Sequence, residues 1–397
     1  MNENIREGKI EKIVNGGFGL LRSEDGIVFL KYVAPGEKVK YRERERAKGI
    51  IWGDVVEIDE PHPGRVTPEC RYYGDCGGCA LSHLRYDLQM KIKEDILTDD
   101  LNRIGKLKIN CQNIYTSPEY SYRVRAKLKG LENGKIGFVR KSTNDIMEIN
   151  SCMIVVPEIN DFIRKWNNAD SMGFFHQIDV FYNNTEKRLY VHITGEPEPE
   201  TIRKFSLFEN TFFSWNGSDK DNSSELRIGD YNYMVSPDSF FQVNRFQWED
   251  MLNIADSWMK SSDLSLDLYT GSGFFIPVLL KYSGKVIGIE NSKRSVQLAE
   301  KSFLNAEFLR SPVEKYLFPS ADLMIIDPPR SGIPDSVIQR IFQTGPDTVI
   351  YISCSSATLA RDINKFIQNN YRIEETALLD LFPQTAHFET MTLLKHN

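Results

Sequence analysis

Three sets of residues near the C-terminal end of the sequence could do chemistry together. Asp327-Pro328-Pro329-Arg330 follows an apolar run, Cys354 ends the next apolar run, and Glu389 stands close to the last residue. Asp-Pro-Pro alone points to a methyltransferase cleft. A lone cysteine at the mouth of such a cleft, with a carboxylate to remove a proton, narrows the chemistry to methylation of a ring carbon in a pyrimidine. The C5 of uracil is too weak a nucleophile to attack a methyl sulfonium unaided. Addition of a thiolate at C6 turns C5 into an enolate carbon, which can attack. A base must then take the C5 proton so that the thiol can leave. Cys354 and Glu389 are the right residue types for these two tasks.

The elements that must hold these residues are also legible. From about residue 231 the pattern becomes alternating βα units. Strands are expected at 264–269, 286–290, 323–327 and 349–353, with helical stretches between them. That is a doubly wound parallel sheet of Rossmann type, whose ligand binds beyond the carboxyl ends of the strands. Asp267, Glu290, Asp327 and Cys354 all fall at or near those ends. Asp267-Leu268-Tyr269-Thr270-Gly271-Ser272-Gly273 joins a strand to a helix, and Gly271 and Gly273 let the backbone approach a ligand closely. A dinucleotide fingerprint would need a third glycine where Ile276 stands. Its absence counts against NAD and suits the shorter loop used for S-adenosylmethionine (SAM). Glu290 is placed to accept from ribose hydroxyls; the plainer alternative is an ordinary strand-end carboxylate.

A chain of 397 residues implies two or three domains, and 41% hydrophobic with 26% charged residues is a globular composition. No apolar run nears the roughly 20 residues of a membrane span, and the polar N-terminus lacks the core of a signal peptide. The expected setting is cytoplasmic, with no membrane contact and with reduced cysteines. Residues 10–58 read as short strands broken by glycine-rich turns, a small barrel pattern, and Pro61-His62-Pro63-Gly64 makes a linker. Leu81, Leu84, Leu88, Ile92, Ile96 and Leu101 predict an amphipathic helix that Gly105 ends. Residues 110–230 look β-rich.

The net charge is −6. Yet between 103 and 141 stand ten basic residues (Arg103, Lys106, Lys108, Arg123, Arg125, Lys127, Lys129, Lys135, Arg140, Lys141) against Glu119 and Glu132. A local basic surface matters more for RNA docking than the global sum. In a strand, Arg123, Arg125, Lys127 and Lys129 would share one face. A solvated outer face is the competing reading. Upstream, Cys70, Cys76 and Cys79, with Gly77-Gly78 between the last two, form a metal-ligand pattern. Cys152 or Cys111 could supply a fourth thiolate. Structural zinc and an iron–sulfur cluster both fit the spacing, whereas the Cys-x3-Cys-x2-Cys of radical SAM enzymes does not.

With these segments in hand, the chain resembles the RNA uridine C5-methyltransferases, which make 5-methyluridine in ribosomal and transfer RNA. The resemblance runs over nearly the whole length, through CRYYGDCGGCALSHLRYDLQMK (70–91), EINSCMIV (148–155), FFQVN (240–244), DLYTGSG (267–273), DPPRSG (327–332), YISCSSATLARD (351–362) and FPQTAHFET (382–390). It implies an N-terminal OB-like TRAM barrel (1–62), a central β-rich domain with the cysteines and RNA-binding strands (63–230) and a SAM-dependent catalytic domain (231–397). It also implies a [4Fe–4S] cluster on Cys70, Cys76, Cys79 and Cys152, leaving Cys111 a bystander. By the same motifs, SAM contacts fall on Gln242, Tyr269, Glu290 and Asp327. Cys354 becomes the nucleophile, Glu389 the base, and Phe240 the ring that stacks on a flipped uracil. Thr270, Phe274, Ser82 and Ser355-Ser356 depart from the family pattern, and none of them removes a reacting group. The implied partner is RNA, with 23S rRNA placed ahead of the tRNA T-loop, and the implied state is a monomer. The alternatives are a silent RNA-binding paralogue, which intact Cys354 and Glu389 oppose, and an amino-group methyltransferase, which needs no thiol. A zinc deaminase needs His-x-Glu, but Gln177 and Ile178 follow His176.

Overall fold

The computed structural model describes residues 5–109, 111, 113–169, 173 and 175–397. Its first six strands, Ile5–Lys9, Lys12–Val14, Phe18–Ser23, Gly26–Lys31, Lys38–Ala47 and Ile50–Glu60, form one sheet in the order first, fifth, sixth, fourth, third, second. Alternation drives it: Val39 and Tyr41 are fully buried while Lys38 and Arg42 stand outside. Register shifts between the two longest strands bend the sheet around Ile10, Leu21, Val28, Leu30 and Ile51 into an OB-like barrel. The barrel docks on the rest of the chain at Gly17. This residue has φ +76°, and a Cβ there would sit 2.8 Å from that of Ala80 and 3.2 Å from that of Ala386. Only glycine permits so close an approach.

A second six-stranded sheet follows the order Ile146–Glu148, Ile136–Val139, Arg125–Gly130, Gln177–Asn183, Arg188–Thr194, Thr211–Trp215. Helix Pro157–Asn168, with proline at its first turn, buries Ile159, Phe162, Ile163 and Trp166 in the same apolar cluster as this sheet. The hairpin Ser224–Ile228 with Tyr231–Val235 leads on towards the catalytic layer.

The third sheet has eight strands, ordered Glu307–Arg310, Ser283–Glu290, Ser262–Leu268, Leu323–Ile326, Thr348–Ser353, Glu389–His396, Tyr371–Leu379, Asn113–Tyr115. Its first five strands are parallel, and Glu389–His396 enters antiparallel between Thr348–Ser353 and Tyr371–Leu379. The four strands expected at 264–269, 286–290, 323–327 and 349–353 are all present.

Two expectations change. The amphipathic helix runs Tyr86–Arg103, so Leu81 and Leu84 are buried in turns ahead of it. Arg85 N–H, which a helix begun at Leu81 would give to the Leu81 carbonyl, goes to the Gly64 carbonyl instead, and Leu81 N–H donates to the Gln384 carbonyl. A residue so engaged cannot continue a helix. The helix also packs on the catalytic layer, where Ser356 Oγ donates to Asp100 at 2.6 Å. The short strand Asn113–Tyr115 pairs in parallel with Tyr371–Leu379. The segment between the cysteines and the second sheet therefore contributes to the C-terminal fold. Among the described residues, no helix is long and apolar enough to cross a membrane.

Candidate active site

Cys354 directly follows strand Thr348–Ser353, and Glu389 opens the antiparallel strand beside it. The register ends by pairing Ser353 with Thr390, which leaves Cys354 just past one strand and Glu389 just before Thr390 at the same end of the ladder. Thr390 Oγ1 ties the junction by donating to the Ser353 carbonyl at 3.0 Å. Asp327 directly follows the next strand on the other side, where Ile326 pairs with Tyr351. Three reactive groups thus meet at adjacent strand ends.

Electrostatics mark them as one site. Burial, then the neighbouring Asp327 carboxylate, pushes Glu389 well above the carboxylate range, with Arg330 opposing. Glu389 Oε2 is buried with no hydrogen-bond partner. Burial also raises Asp327 to about 7. The Cys354 thiol goes up to about 11 through burial, then through Glu389 and Asp327, again against Arg330. A buried, unpartnered carboxylate beside a half-buried thiol is a costly arrangement for structure alone, and perturbed groups of this kind gather where chemistry is done.

A recess of about 350 Å³ opens beside this cluster, walled by Phe240, Gln242, Tyr269, Gly271 and Asp327 among others. Tyr269 (φ +63°) and Gly271 (φ +56°) both take the left-handed conformation that turns the strand into its loop. At the loop's base, Thr270 Oγ1 donates to Asp267 at 2.5 Å. Burial pushes Asp267 up to about 8. Two of the expected contacts lie off this wall. Glu290 accepts the backbone N–H groups of Gly271 (3.1 Å) and Ser292 (2.6 Å), so its carboxylate shapes the loop. Gly273 (φ +84°) faces the Phe303 ring, 3.0 Å from where a Cβ would stand. Its lack of a side chain serves packing.

Phe240 is 64% exposed on the rim shared by this recess and a larger cleft. That cleft encloses about 1760 Å³ and carries Arg123, Arg125, Lys127 and Lys129 on one wall. The four cations do not act alike. Arg125 is half-buried and donates to the carbonyls of Ser236 (2.9 Å), Pro237 (3.0 Å) and Ser239, fixing the segment that presents Phe240. Burial lowers it to about 10. Arg123 lies just before the strand and donates to the Arg125 carbonyl, and Lys129 donates to Gln177. Lys127 is the exposed one, 3.7 Å from Asp179. Alternation put the four side chains on one face, but depth along the strand decides which of them meets solvent.

Cys70, Cys76, Cys79 and Cys152 line one cavity of about 540 Å³, whose other walls include Tyr72, Phe138 and Ile149. Burial pushes Cys79 up to about 12 and Cys152 to about 11. Asn160 pins Cys152 through both its backbone N–H and its carbonyl. Cys111 is elsewhere, against the Asn113 and Thr376 carbonyls. Among the described residues, no three His, Cys, Asp or Glu side chains are gathered closely enough to ligate one metal ion. The four thiols ring a cavity instead.

The loop that carries the chain into Glu389 rests on residues that the sequence did not single out. Lys93, fully buried, donates to Asp380 at 2.5 Å and to the Phe382 carbonyl at 3.1 Å. Tyr86 also donates to Asp380. Gln384 takes a left-handed φ of +71°, receives Leu81 N–H on its carbonyl and donates its own N–H to Gln89. It also lines the cysteine cavity.

Residues 312–397 match the family model described as tRNA (Uracil-5-)-methyltransferase. An uncharacterised RNA methyltransferase of Aquifex aeolicus is 30% identical over 97% of each chain. The tRNA (uracil(54)-C(5))-methyltransferase of Pyrococcus abyssi is 27% identical over 98% of this chain and 99% of its own. The 23S rRNA (uracil(1939)-C(5))-methyltransferase of Shewanella halifaxensis is 26% identical, over 98% and 95%. The crystal structure of the Pyrococcus abyssi tRNA enzyme with S-adenosyl-L-homocysteine shares the fold, with TM-score 0.76 and 24% identity over 98% of this chain and all of that one.

Proposed function

Because the chain belongs to the family of SAM-dependent RNA uracil-C5 methyltransferases, we propose that it makes 5-methyluridine through a covalent bond from Cys354 to C6 of the target uracil. The observation that carries this reading is the meeting of Cys354, Glu389 and Asp327 at adjacent strand ends, close enough for each carboxylate to act on the thiol. The exposed Phe240 ring stacks on a uracil flipped out of its strand. Cys354 adds as thiolate to C6, which makes C5 nucleophilic. SAM, when bound in the recess beside Gln242, Tyr269, Gly271 and Asp327, supplies an electrophilic methyl group. Glu389 then takes the C5 proton through its unpartnered oxygen, the C6–S bond breaks and the thiolate is restored. The raised proton affinity of Glu389 suits a base working on carbon.

The four thiols around one cavity support a [4Fe–4S] cluster on Cys70, Cys76, Cys79 and Cys152. Such a cluster spans a cavity, whereas a zinc ion needs its ligands converged on a point. Its part would be structural, stapling the cysteine segment to the second sheet. The same reading makes the protein a cytoplasmic monomer of three domains divided near 62 and 230, with the 86–115 segment packed on the third. The first target is 23S rRNA, which one relative methylates. The tRNA T-loop follows, since the archaeal tRNA enzyme has the same architecture.

The test is a 5-fluorouridine RNA, whose C5 fluorine cannot leave as a proton. Wild-type protein should form a stable adduct and Cys354→Ala none, while both bind SAM equally. Methylation by the alanine variant would end the mechanism, and mapping 5-methyluridine with and without the gene would name the RNA.

A further inference from the structure

A polar recess of about 470 Å³ lies where the barrel, the cysteine segment and the 385–387 loop meet. Lys31 comes from the barrel, Lys141 from the loop after strand Ile136–Val139, and Gly77-Gly78 contribute bare backbone. Lys141 Nζ lies 4.2 Å above the Tyr32 ring and Lys31 Nζ 5.0 Å from the Phe18 ring. Neither lysine makes an ion pair with a carboxylate among the described residues. The carboxylates that act on Lys141 are Asp54 and Asp75, and both are already engaged, with Arg44 (3.3 Å) and Arg140 (3.6 Å). Burial pulls both lysines below their usual range, aided by Arg44 at Lys31 and by Lys31 at Lys141. The recess is short of negative charge. Lys31, Gly77, Gly78 and Lys141 also line the large cleft that Phe240 rims, so one surface runs from the exposed ring to these cations.

We propose that this recess holds a backbone phosphate of the substrate RNA, gripped by Lys31 and Lys141, and so fixes the strand's distance from the flipped base at Phe240. The inference rests on RNA being the substrate. Lysine is suited to the role as a mobile point charge, and the Tyr32 face orients Lys141 without neutralising it. A phosphate contact adds affinity regardless of sequence and is read in the salt dependence of binding.

The experiment uses full-length protein, a uridine-containing stem-loop RNA of about 20 nucleotides and an RNA of equal length and unrelated sequence. Lys31→Gln with Lys141→Gln should weaken binding about tenfold on both RNAs and reduce the slope of log affinity against log salt by about 1, with SAM binding unchanged. Lys→Arg at both positions should restore the slope. Independently, acylation of Lys31 and Lys141 in wild-type protein, read by mass spectrometry, should be suppressed by the RNA. An unchanged slope, or labelling that RNA does not suppress, overturns the assignment while methylation by the wild type keeps the RNA reading intact. Suppression by inorganic phosphate as complete as by RNA would reassign the recess to free phosphate. Wild-type protein that neither binds nor methylates RNA would take down both readings.

Discussion

Replacing Asp380 with asparagine isolates what holds the catalytic loop to the rest of the protein. Lys93 and Asp380 are both 0% exposed, with Nζ 2.5 Å from Oδ1. Asp380→Asn would keep the shape and remove the anion, leaving an ammonium in the core with only neutral acceptors, the new amide oxygen and the Phe382 carbonyl. Burial already pushes Lys93 down, and Asp380 is the principal attraction opposing that push. Without it, the cheapest escape for Lys93 is to lose its proton. An ordinary lysine titrates near about 10.4, and at about 1.36 kcal/mol per unit its deprotonation at pH 7.5 costs about 4 kcal/mol. That agrees with the roughly 3–5 kcal/mol lost when one partner of a buried ion pair is removed. The sign with pH follows. Lys93 would be neutral in the folded variant and protonated in the unfolded chain, so the unfolded state binds more protons and stability rises with pH. Urea unfolding followed by circular dichroism at pH 7.5, 8.5 and 9.5 should show a deficit that shrinks by about 1.4 kcal/mol per unit. Adding Lys93→Met should remove most of the deficit and its pH dependence, because no buried charge remains. A deficit below about 1 kcal/mol, or one that does not change with pH, would refute the reasoning.

Three further outcomes are expected. Glu389→Gln keeps the shape but cannot take the C5 proton, so a protein–RNA adduct should accumulate on natural uridine; near-normal turnover without adduct would remove Glu389 from the role of base. Because burial and two carboxylates push Cys354 up to about 11, its iodoacetamide labelling in RNA-free protein should climb about tenfold per pH unit from 7 to 9.5, and a plateau below pH 8.5 would contradict that environment. Purified without air, the protein should contain iron and sulfide, lost in Cys76→Ser and retained in Cys111→Ser; one tightly bound zinc instead would end the cluster assignment and leave the methyltransferase intact.

The clustering of Asp327 and Cys354 was legible in the sequence because buried parallel strands read as short apolar runs, and a ligand site lies at their carboxyl ends. Asp327 and Cys354 each stand just past such a run. Glu389 was singled out by residue type and its place near the C-terminus, although it opens a strand instead of ending one. What supports the site was not legible. Lys93 sits within a charged, amphipathic helix and reads as surface; only a partner 287 residues along the chain makes it core. Arg125 looked like its neighbours Lys127 and Lys129, and only the close approach of residues 236–239 engages its guanidinium. Asn113–Tyr115 is three residues long, too short for its pattern to say which sheet it joins. The leucines at 81 and 84 kept helical spacing, but other segments had taken the backbone groups a helix requires.

The antiparallel strand that delivers Glu389 also decides how the whole chain is tied together. Between Leu379 and Glu389 the backbone has no strand partner, and its buried polar groups must find partners elsewhere. They find them in the N-terminal two thirds. Asn244 donates to the carbonyls of Asp380 and Leu381, Lys93 to that of Phe382, Tyr122 to that of Pro383 and Leu81 N–H to that of Gln384. The barrel closes the series where Gly17 packs against Ala386. Each of these contacts comes from a segment that also faces the cysteine cavity, the basic cleft or the barrel. Displacing any of them shifts a loop whose next residues are His387, Phe388 and Glu389. The position of Glu389 beside Cys354 is thereby set by these segments; under the proposed function the same segments would meet the RNA, which would couple docking of the nucleic acid to assembly of the reacting groups.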